Sequence, residues 1–289
     1  MKTKNVFLQV LTWLAFIALC SILALGIWAV CFGESSQDTI ALKWMQFLQS
    51  AGIFLIPPII CACIWKGRQS LQWLGVAKSC SWREMGIAVL LMISALPLIN
   101  VLAYWNNMIK LPESLHFIEV YFREYEEIAA LLTERFLQAD NIVVLFINLG
   151  LMALLPALAE ELSFRGVLQQ LISGDSNKKI HVAIWVSAFI FSAIHMQFYG
   201  FIPRMLMGAL FGYAFVWTGT LWVPIVMHFV NNSIAVISYY ILSRNTQVDM
   251  EVMETLGTGS TWWLGLLSLL LVILFIRLLY KNYKSSRTL

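Results

Sequence analysis

The chain has 289 residues, of which 60% are hydrophobic and only 12% are charged, about half the charged fraction of a typical soluble domain. A mean hydropathy of +0.77 over the whole length excludes a soluble enzyme with a single anchor. The net charge of +3 and the absence of a basic run in the sequence give no indication of nucleic-acid binding. We therefore predict an all-α, polytopic membrane protein that has the bilayer as its solvent.

About eight apolar segments of the sequence are long enough to cross a bilayer as α-helices. The first is too long for the apolar region of a secretory signal peptide, so we interpret it as an uncleaved span. With the N-terminus placed in the cytoplasm, basic residues of the inner loops outnumber those of the outer loops by about two to one, which predicts cytoplasmic N- and C-termini. The expected spans are residues 6–32, 44–65, 85–105, 141–172, 180–198, 201–217, 222–242 and 261–280.

Residues 110–140 form a polar stretch between the third and fourth expected spans. Apolar side chains recur in this stretch at close to the helical period, which predicts an amphipathic helix lying against the outer face of the membrane. A substrate lid and a simple interfacial connector both fit this pattern. We favour the connector.

A small set of polar side chains falls inside the expected spans, where each charge is costly unless it is paired or neutralised. Glu160 and His195 lie at nearly equal distances on either side of the turn between the fourth and fifth spans, so an antiparallel helix pair would place them at matching depth. This arrangement predicts a functional site within the helical bundle. The set consists of Glu160, Glu161, Arg165, His195, His228, Asn231 and Asn232.

Spacing along each helix indicates which of these residues can pair with each other and which share a helix face. Glu161 and Arg165 are four residues apart in the order that favours an ion pair, which leaves the neighbouring Glu160 to face His195. His228 and Asn232 have the same spacing and present an imidazole and an amide on one helix face. Another interpretation is a purely structural polar cluster that joins helices through hydrogen bonds.

The residue types suit hydrolysis of an amide bond by activated water. A carboxylate with an imidazole can bind and deprotonate water, and a second imidazole with an amide N–H can stabilise an oxyanion. The same side chains could instead hold zinc, with Glu160, His195 and His228 as ligands and water as the fourth. The HExxH pattern of soluble zinc proteases is absent from the sequence.

Three short motifs, EELSFR, FSAIH and HFVNN, resemble those of the CPBP family of intramembrane proteases. This family includes the type II CAAX prenyl endopeptidases and the bacterial lysostaphin-resistance-protein-like and bacteriocin-immunity proteins. The motifs follow the family's order, and the resemblance covers about residues 140–242. The family patterns EExxxR, FxxxH and HxxxN fall on Glu160, Glu161, Arg165, Phe191, His195, His228 and Asn232.

The resemblance implies a helical intramembrane endopeptidase and a role for each matching residue. Glu160 and His195 would activate water, while His228 and Asn232 would support the oxyanion. The supporting residues would be Glu161, Arg165 and Phe191. Both metal-dependent and metal-free mechanisms have been described for the family, and we expect no tightly bound metal, with zinc as the alternative.

The resemblance also implies a membrane-embedded or lipidated peptide or protein as the substrate, and a multi-pass protein of a bacterial inner or plasma membrane. We divide the chain into N-terminal transmembrane helices with the outer amphipathic segment (1–139), a catalytic core (140–242), and a C-terminal helix with a basic tail (243–289). A non-catalytic immunity or peptide-binding scaffold on the same fold is the main alternative function. A proton-coupled transporter is less consistent with the sequence. Transporters usually consist of two related halves, and the first 140 residues contain no counterpart of the motif region.

Overall fold

A computed structural model describes residues 5–33, 38–174, 176–244 and 255–287, without the side chains of residues 177 and 282–287. All regular structure in these residues is helical, which confirms the all-α prediction. Lys2 and Lys4, two of the basic residues that the predicted topology places on the inner side, lie outside the described residues. The helices are α1 (Val6–Phe32), α2 (Thr39–Trp73), α3 (Trp82–Asn107), α4 (His116–Leu137), α5 (Ile142–Ser173), α6 (Ile180–Ala193), α7 (Phe201–Thr218), α8 (Trp222–Leu242) and α9 (Trp262–Arg287).

Seven helices of the described residues are long and apolar enough to cross a membrane: α1, α2, α3, α5, α7, α8 and α9. The remaining expected span, residues 180–198, corresponds to α6, which has only 14 residues. A helix of that length is about 21 Å long, whereas the hydrocarbon core is about 30 Å thick. The helix ends early because the chain turns at residues 194–196, where Met196 adopts a φ of 55°. His195 therefore lies in this turn and not within α6.

Two of the spanning helices are not regular α-helices along their whole length. Ser50–Leu55 in α2 and both Leu149–Leu154 and Leu162–Gln169 in α5 are π-helical. The first two π-helical segments each end just before a proline, Pro57 or Pro156, which cannot donate a backbone hydrogen bond to the preceding turn. Isolated π-helical turns are frequent near functional sites.

The helices pack around two main apolar clusters, and α5 lies against the first of them. This cluster joins α1, α2, α5 and α6 with the start of α8, and the second joins α3, α7, α8 and α9. Phe191 belongs to the first cluster and Phe211 to the second, and the ring of His228 packs against both. The polar residues of the expected site therefore lie where the two clusters meet.

The polar stretch contains the predicted helix, α4, which has few buried residues. Its middle packs on the turn between α6 and α7, where Phe122 stacks on Phe198 with ring centroids 5.3 Å apart. Arg123 lies over the Tyr199 ring at 4.1 Å. Helix α4 thus covers the segment that follows His195. The division of the chain at 139/140 and 242/243 stays a prediction.

Candidate active site

The two adjacent carboxylates of α5 differ sharply in their exposure. The side chain of Glu161 is 0% exposed, whereas that of Glu160 is 15% exposed. Neighbouring residues of a helix point about 100° apart, so one can face the protein interior while the next reaches a more open region. Only Glu160 is accessible enough to meet water or a substrate.

Glu161 is bound on one oxygen by two partners. Its Oε1 accepts hydrogen bonds from Arg165 Nη1 at 2.7 Å and from His228 Nδ1 at 2.9 Å, while Oε2 is buried without a hydrogen-bond partner. The ion pair that the spacing predicts between Glu161 and Arg165 is therefore present. Removing one partner of such a buried pair typically destabilises a protein by about 3–5 kcal/mol.

Arg165 extends this network to α6 and α7. Its Nη2 donates to the carbonyl of Gly208 at 2.7 Å, and its guanidinium lies 4.8 Å from the centroid of the Phe191 ring. A Cβ atom at Gly208 would lie 3.2 Å from both Arg165 Nη2 and Phe191 Cδ1. Glycine therefore permits the close approach of α7 that this hydrogen bond needs.

His228 is held between the two carboxylates. Its Nδ1 donates to Glu161, and its Nε2 lies 3.8 Å from Glu160 Oε2. Phe211 stacks on the imidazole at a centroid distance of 5.4 Å and fixes the plane of the ring. The imidazole that the structure places beside Glu160 is thus His228, whereas the sequence predicted His195.

His195 is oriented by its own helix. Because the Phe191 carbonyl can only accept a hydrogen bond, the 2.7 Å contact makes Nδ1 the donor. The neutral ring then has an acceptor lone pair on Nε2, and the side chain is only partly buried. The Phe191 ring contacts His195 edge-on at 5.1 Å, so this phenylalanine touches His195, Arg165 and His228.

Asn232 is oriented by α5. Its Nδ2 donates to the Met152 carbonyl at 3.3 Å, and its Oδ1 accepts from Asn231 Nδ2 at 3.1 Å. Met152 precedes Pro156 by four residues, so its carbonyl lacks the usual helical donor at that position. The proline of α5 thereby makes a backbone acceptor available to the amide of α8.

The structure joins most of the expected residues in one network and brings the others to its edge. Glu160, Glu161, Arg165, Phe191 and His228 are connected by direct contacts, and His195 joins through Phe191. Within the described residues, no three His, Cys, Asp or Glu side chains converge closely enough to hold a metal ion. The alternative zinc set of Glu160, His195 and His228 is therefore not assembled in this geometry.

Two clefts lie beside the network, and α4 lines both of them. The first has a volume of about 640 Å³ and includes Glu126, Gln197 and Arg204 in its lining. The second has a volume of about 620 Å³ and includes Asn231. They share Asn100 and Ala130 in their linings, so the two clefts adjoin each other along α3 and α4.

Arg204 is a residue that the sequence reasoning missed, although it falls at the start of the expected span 201–217. It lies in the first turn of α7, and its guanidinium interacts electrostatically with both Glu160 and His195. The available signal was a single arginine inside the apolar run FIPRMLMG. An ionisable residue in such a run is a candidate for function.

Comparison with known proteins identifies the same region of the chain. Residues 142–234 match the family described as type II CAAX prenyl endopeptidase Rce1-like. A curated relative, "Uncharacterized protein YpbD" of Bacillus subtilis (strain 168), is 34% identical over 87 residues, which are 29% of this chain and 41% of that protein. The match thus spans less than half the length of this relative, and no solved structure is matched.

Proposed function

Since residues 142–234 match the family described as type II CAAX prenyl endopeptidase Rce1-like, we propose that this multi-pass membrane protein is an intramembrane endopeptidase. Its substrates are membrane-associated or lipidated peptides or proteins, and it hydrolyses their peptide bonds with activated water. The observation that carries the proposal is the partly exposed Glu160 next to a fully buried Glu161–Arg165 pair that also orients His228. A merely structural cluster has no need of a second, accessible carboxylate.

Glu160 is the general base of the proposed reaction, and His195 assists it. Water attacks the carbonyl carbon of the scissile amide while the Glu160 carboxylate takes one proton from it; the other hydrogen stays on the oxygen and donates a hydrogen bond to the lone pair on His195 Nε2. The product of this step is a tetrahedral oxyanion. The C–N bond then breaks, and the protonated Glu160 returns its proton to the leaving amine.

His228 and Asn232 stabilise the oxyanion in this proposal. The Glu161 carboxylate holds His228 through Nδ1 and orients the ring, so that Nε2, 3.8 Å from Glu160 Oε2, faces the reacting region and a proton on it can be donated to the oxyanion. Asn232 uses one amide hydrogen on Met152 and keeps the other for the oxyanion. Removing one such donor typically lowers kcat by about 10²- to 10³-fold.

The reaction is proposed to proceed without a bound metal, because the carboxylate and imidazole groups do not converge as a ligand set. We expect a strong chelator to leave cleavage by the purified protein unchanged. Loss of cleavage in chelator that returns on addition of zinc would instead support the Glu160, His195 and His228 ligand set.

The proposal is tested by cleavage of a panel of membrane-tethered peptides with detergent-purified protein. We expect the wild type to cleave at least one peptide, and Glu160→Gln and His195→Ala to lose that activity while unfolding at nearly the wild-type temperature. Cleavage that persists in Glu160→Gln contradicts the assigned base. If the Glu160→Gln variant still restores the phenotype of cells that lack the wild-type protein, this result favours the non-catalytic scaffold.

A further inference from the structure

Arg204 presents a buried, unused hydrogen-bond donor beside the candidate active site. Its Nη2 donates to Gln197 Oε1 at 2.6 Å, but Nη1 is buried and has no hydrogen-bond partner among the residues that the structure describes. A donor left unsatisfied in this way costs about 1–3 kcal/mol, and more when the group is charged. An arginine in an apolar helix therefore calls for an anionic occupant.

The guanidinium is held in place by the turn before α7. A Cβ atom at Gly200 would lie 3.0 Å from Arg204 Nη2, so the charged group rests directly on the backbone of this turn. Asn106 fixes the same segment, because its Nδ2 donates to the Phe198 carbonyl at 2.9 Å and its Oδ1 accepts from Ile202 N at 2.7 Å. The position of Arg204 is thus built into the fold.

The charge of Arg204 is only partly balanced within the protein. It interacts electrostatically with Glu126 and Glu160, but neither carboxylate forms an ion pair with it in the described part of the chain. One oxygen of Glu126 is already engaged by the Tyr199 N–H at 2.6 Å. The cleft that Arg204 lines, of about 640 Å³, has room for several residues of a peptide.

We propose that Arg204 binds a carboxylate of the substrate and so determines which peptide bond lies over Glu160. The proposal rests on the proposed endopeptidase function. A guanidinium has a planar fork of donors that matches a carboxylate, and such charge-assisted hydrogen bonds are about twice as strong as neutral ones. The carboxylate comes either from the C-terminus of the substrate or from an acidic side chain near the scissile bond.

The test compares peptides that differ only in this carboxylate. Three membrane-tethered fluorescent peptides of one sequence are used: a C-terminal acid, the corresponding amide, and the amide with an aspartate near the cleavage position. Binding is measured with the Glu160→Gln protein, and cleavage with proteins that retain Glu160. We expect one of the carboxylate-bearing peptides to bind about 10- to 100-fold more tightly than the plain amide, the range for a hydrogen bond to a charged group, and the identity of that peptide gives the source.

Arg204→Gln is expected to abolish this preference, with little change in binding of the plain amide. Arg123→Gln is the matched control, since Arg123 is a neighbouring exposed cation paired with Glu119 and lies outside the cleft lining. If Arg204→Gln does not fold, Gly200→Ala displaces the guanidinium without removing its charge and should weaken the preference. The comparison of the three peptides on the Glu160→Gln protein keeps Arg204 unchanged, so it tests the carboxylate preference even if no Arg204 variant folds.

The outcomes separate this inference from the function on which it rests. Equal binding of all three peptides overturns the carboxylate site, even if the wild type cleaves them. If Arg204→Gln still prefers the carboxylate-bearing peptide, another residue binds the carboxylate, and this result also overturns the inference. A preference lost in Arg204→Gln without cleavage by the wild type overturns the peptidase and leaves Arg204 as the carboxylate site of a binding protein.

Discussion

Glu160 and Glu161 are neighbours in sequence, but the protein gives them different partners. Glu161 is enclosed and holds Arg165 and His228, whereas Glu160 keeps an open side and one contact to His228. Helix geometry alone separates the two side chains by about 100°. Their substitutions should therefore affect different properties of the protein.

We expect Glu161→Gln to destabilise the protein by about 3–5 kcal/mol, because it leaves the Arg165 guanidinium buried without its counter-charge. Glu160→Gln should shift the free energy of unfolding by much less, since this side chain is partly exposed and its contact with His228 Nε2 is at 3.8 Å. Thermal unfolding of both variants in the same detergent measures the difference. Equal losses of stability would contradict the division between the two carboxylates.

Gly208→Ala tests the packing beneath Arg165. The added methyl would lie 3.2 Å from Arg165 Nη2 and 3.3 Å from Ala188 Cα, and overpacking of this kind costs about 1–3 kcal/mol. Gly86→Ala in α3 is the matched control, because a Cβ there meets nothing within 4 Å. A lower melting temperature is expected for Gly208→Ala only. An unchanged melting temperature of this variant would show that α7 can shift without loss of stability.

At the scale of elements, the polar helix α4 is attached to the body of the protein through few contacts. Its first turn is tied to the preceding loop, because Glu119 accepts the Leu111 N–H at 2.9 Å and pairs with Arg123 at 3.0 Å. Its middle rests on the turn between α6 and α7. The connector and lid interpretations differ in whether these contacts open during turnover.

The pKa of Glu119 is lowered from its ordinary value, chiefly by the Leu111 N–H and then by the hydrogen bond from Arg123. A lowered folded-state pKa means that the carboxylate stabilises the start of α4 above the ordinary carboxyl pKa of about 4.3. This contribution is lost as the pH falls through the lower folded-state pKa.

We therefore expect amide hydrogen exchange at Leu111 and in the first turn of α4 to accelerate, relative to the intrinsic exchange rate, on acidification through that range. Glu119→Gln should exchange quickly at neutral pH and show little of this additional change. Glu124→Gln, an exposed carboxylate change on the same helix, is the control and should behave like the wild type. The same acid response in both variants would remove Glu119 as the cause.

At the scale of the whole molecule, the number of membrane crossings depends on α6. Seven helices of the described residues satisfy the length and hydropathy expected of a span, and α6 is the shorter apolar helix between α5 and α7. An odd number of crossings would place the termini on opposite sides. An even number places them together, as the distribution of basic residues predicts.

We expect α6 with the turn after it to complete an eighth crossing, so that both termini face the cytoplasm. The reason is that α6 is apolar and packs along α7, its neighbour in the chain, and that the distribution of basic residues predicts termini on the same side. Reporter fusions at each terminus, active on only one side of the membrane, measure this topology. Reporters that place the termini on opposite sides would mean that α6 does not cross.

The sequence by itself determined the membrane class, the helical architecture and the Glu161–Arg165 pair. These follow from composition, from apolar length and from a spacing within one helix, which do not depend on how helices pack. The motif residues were also found from sequence, and their catalytic roles stay predictions.

Only the tertiary structure decided which imidazole lies beside Glu160 and that Arg204 reaches the same site. Two straight α-helices would place Glu160 and His195 at matching depth, but α5 is π-helical over Leu162–Gln169 and α6 ends at Ala193, so the register between the two helices shifts. A π-helical turn contains more residues than an α-helical one and rotates every later side chain. Such a rotation changes which neighbouring helix a side chain faces, and contacts between helices depend on it.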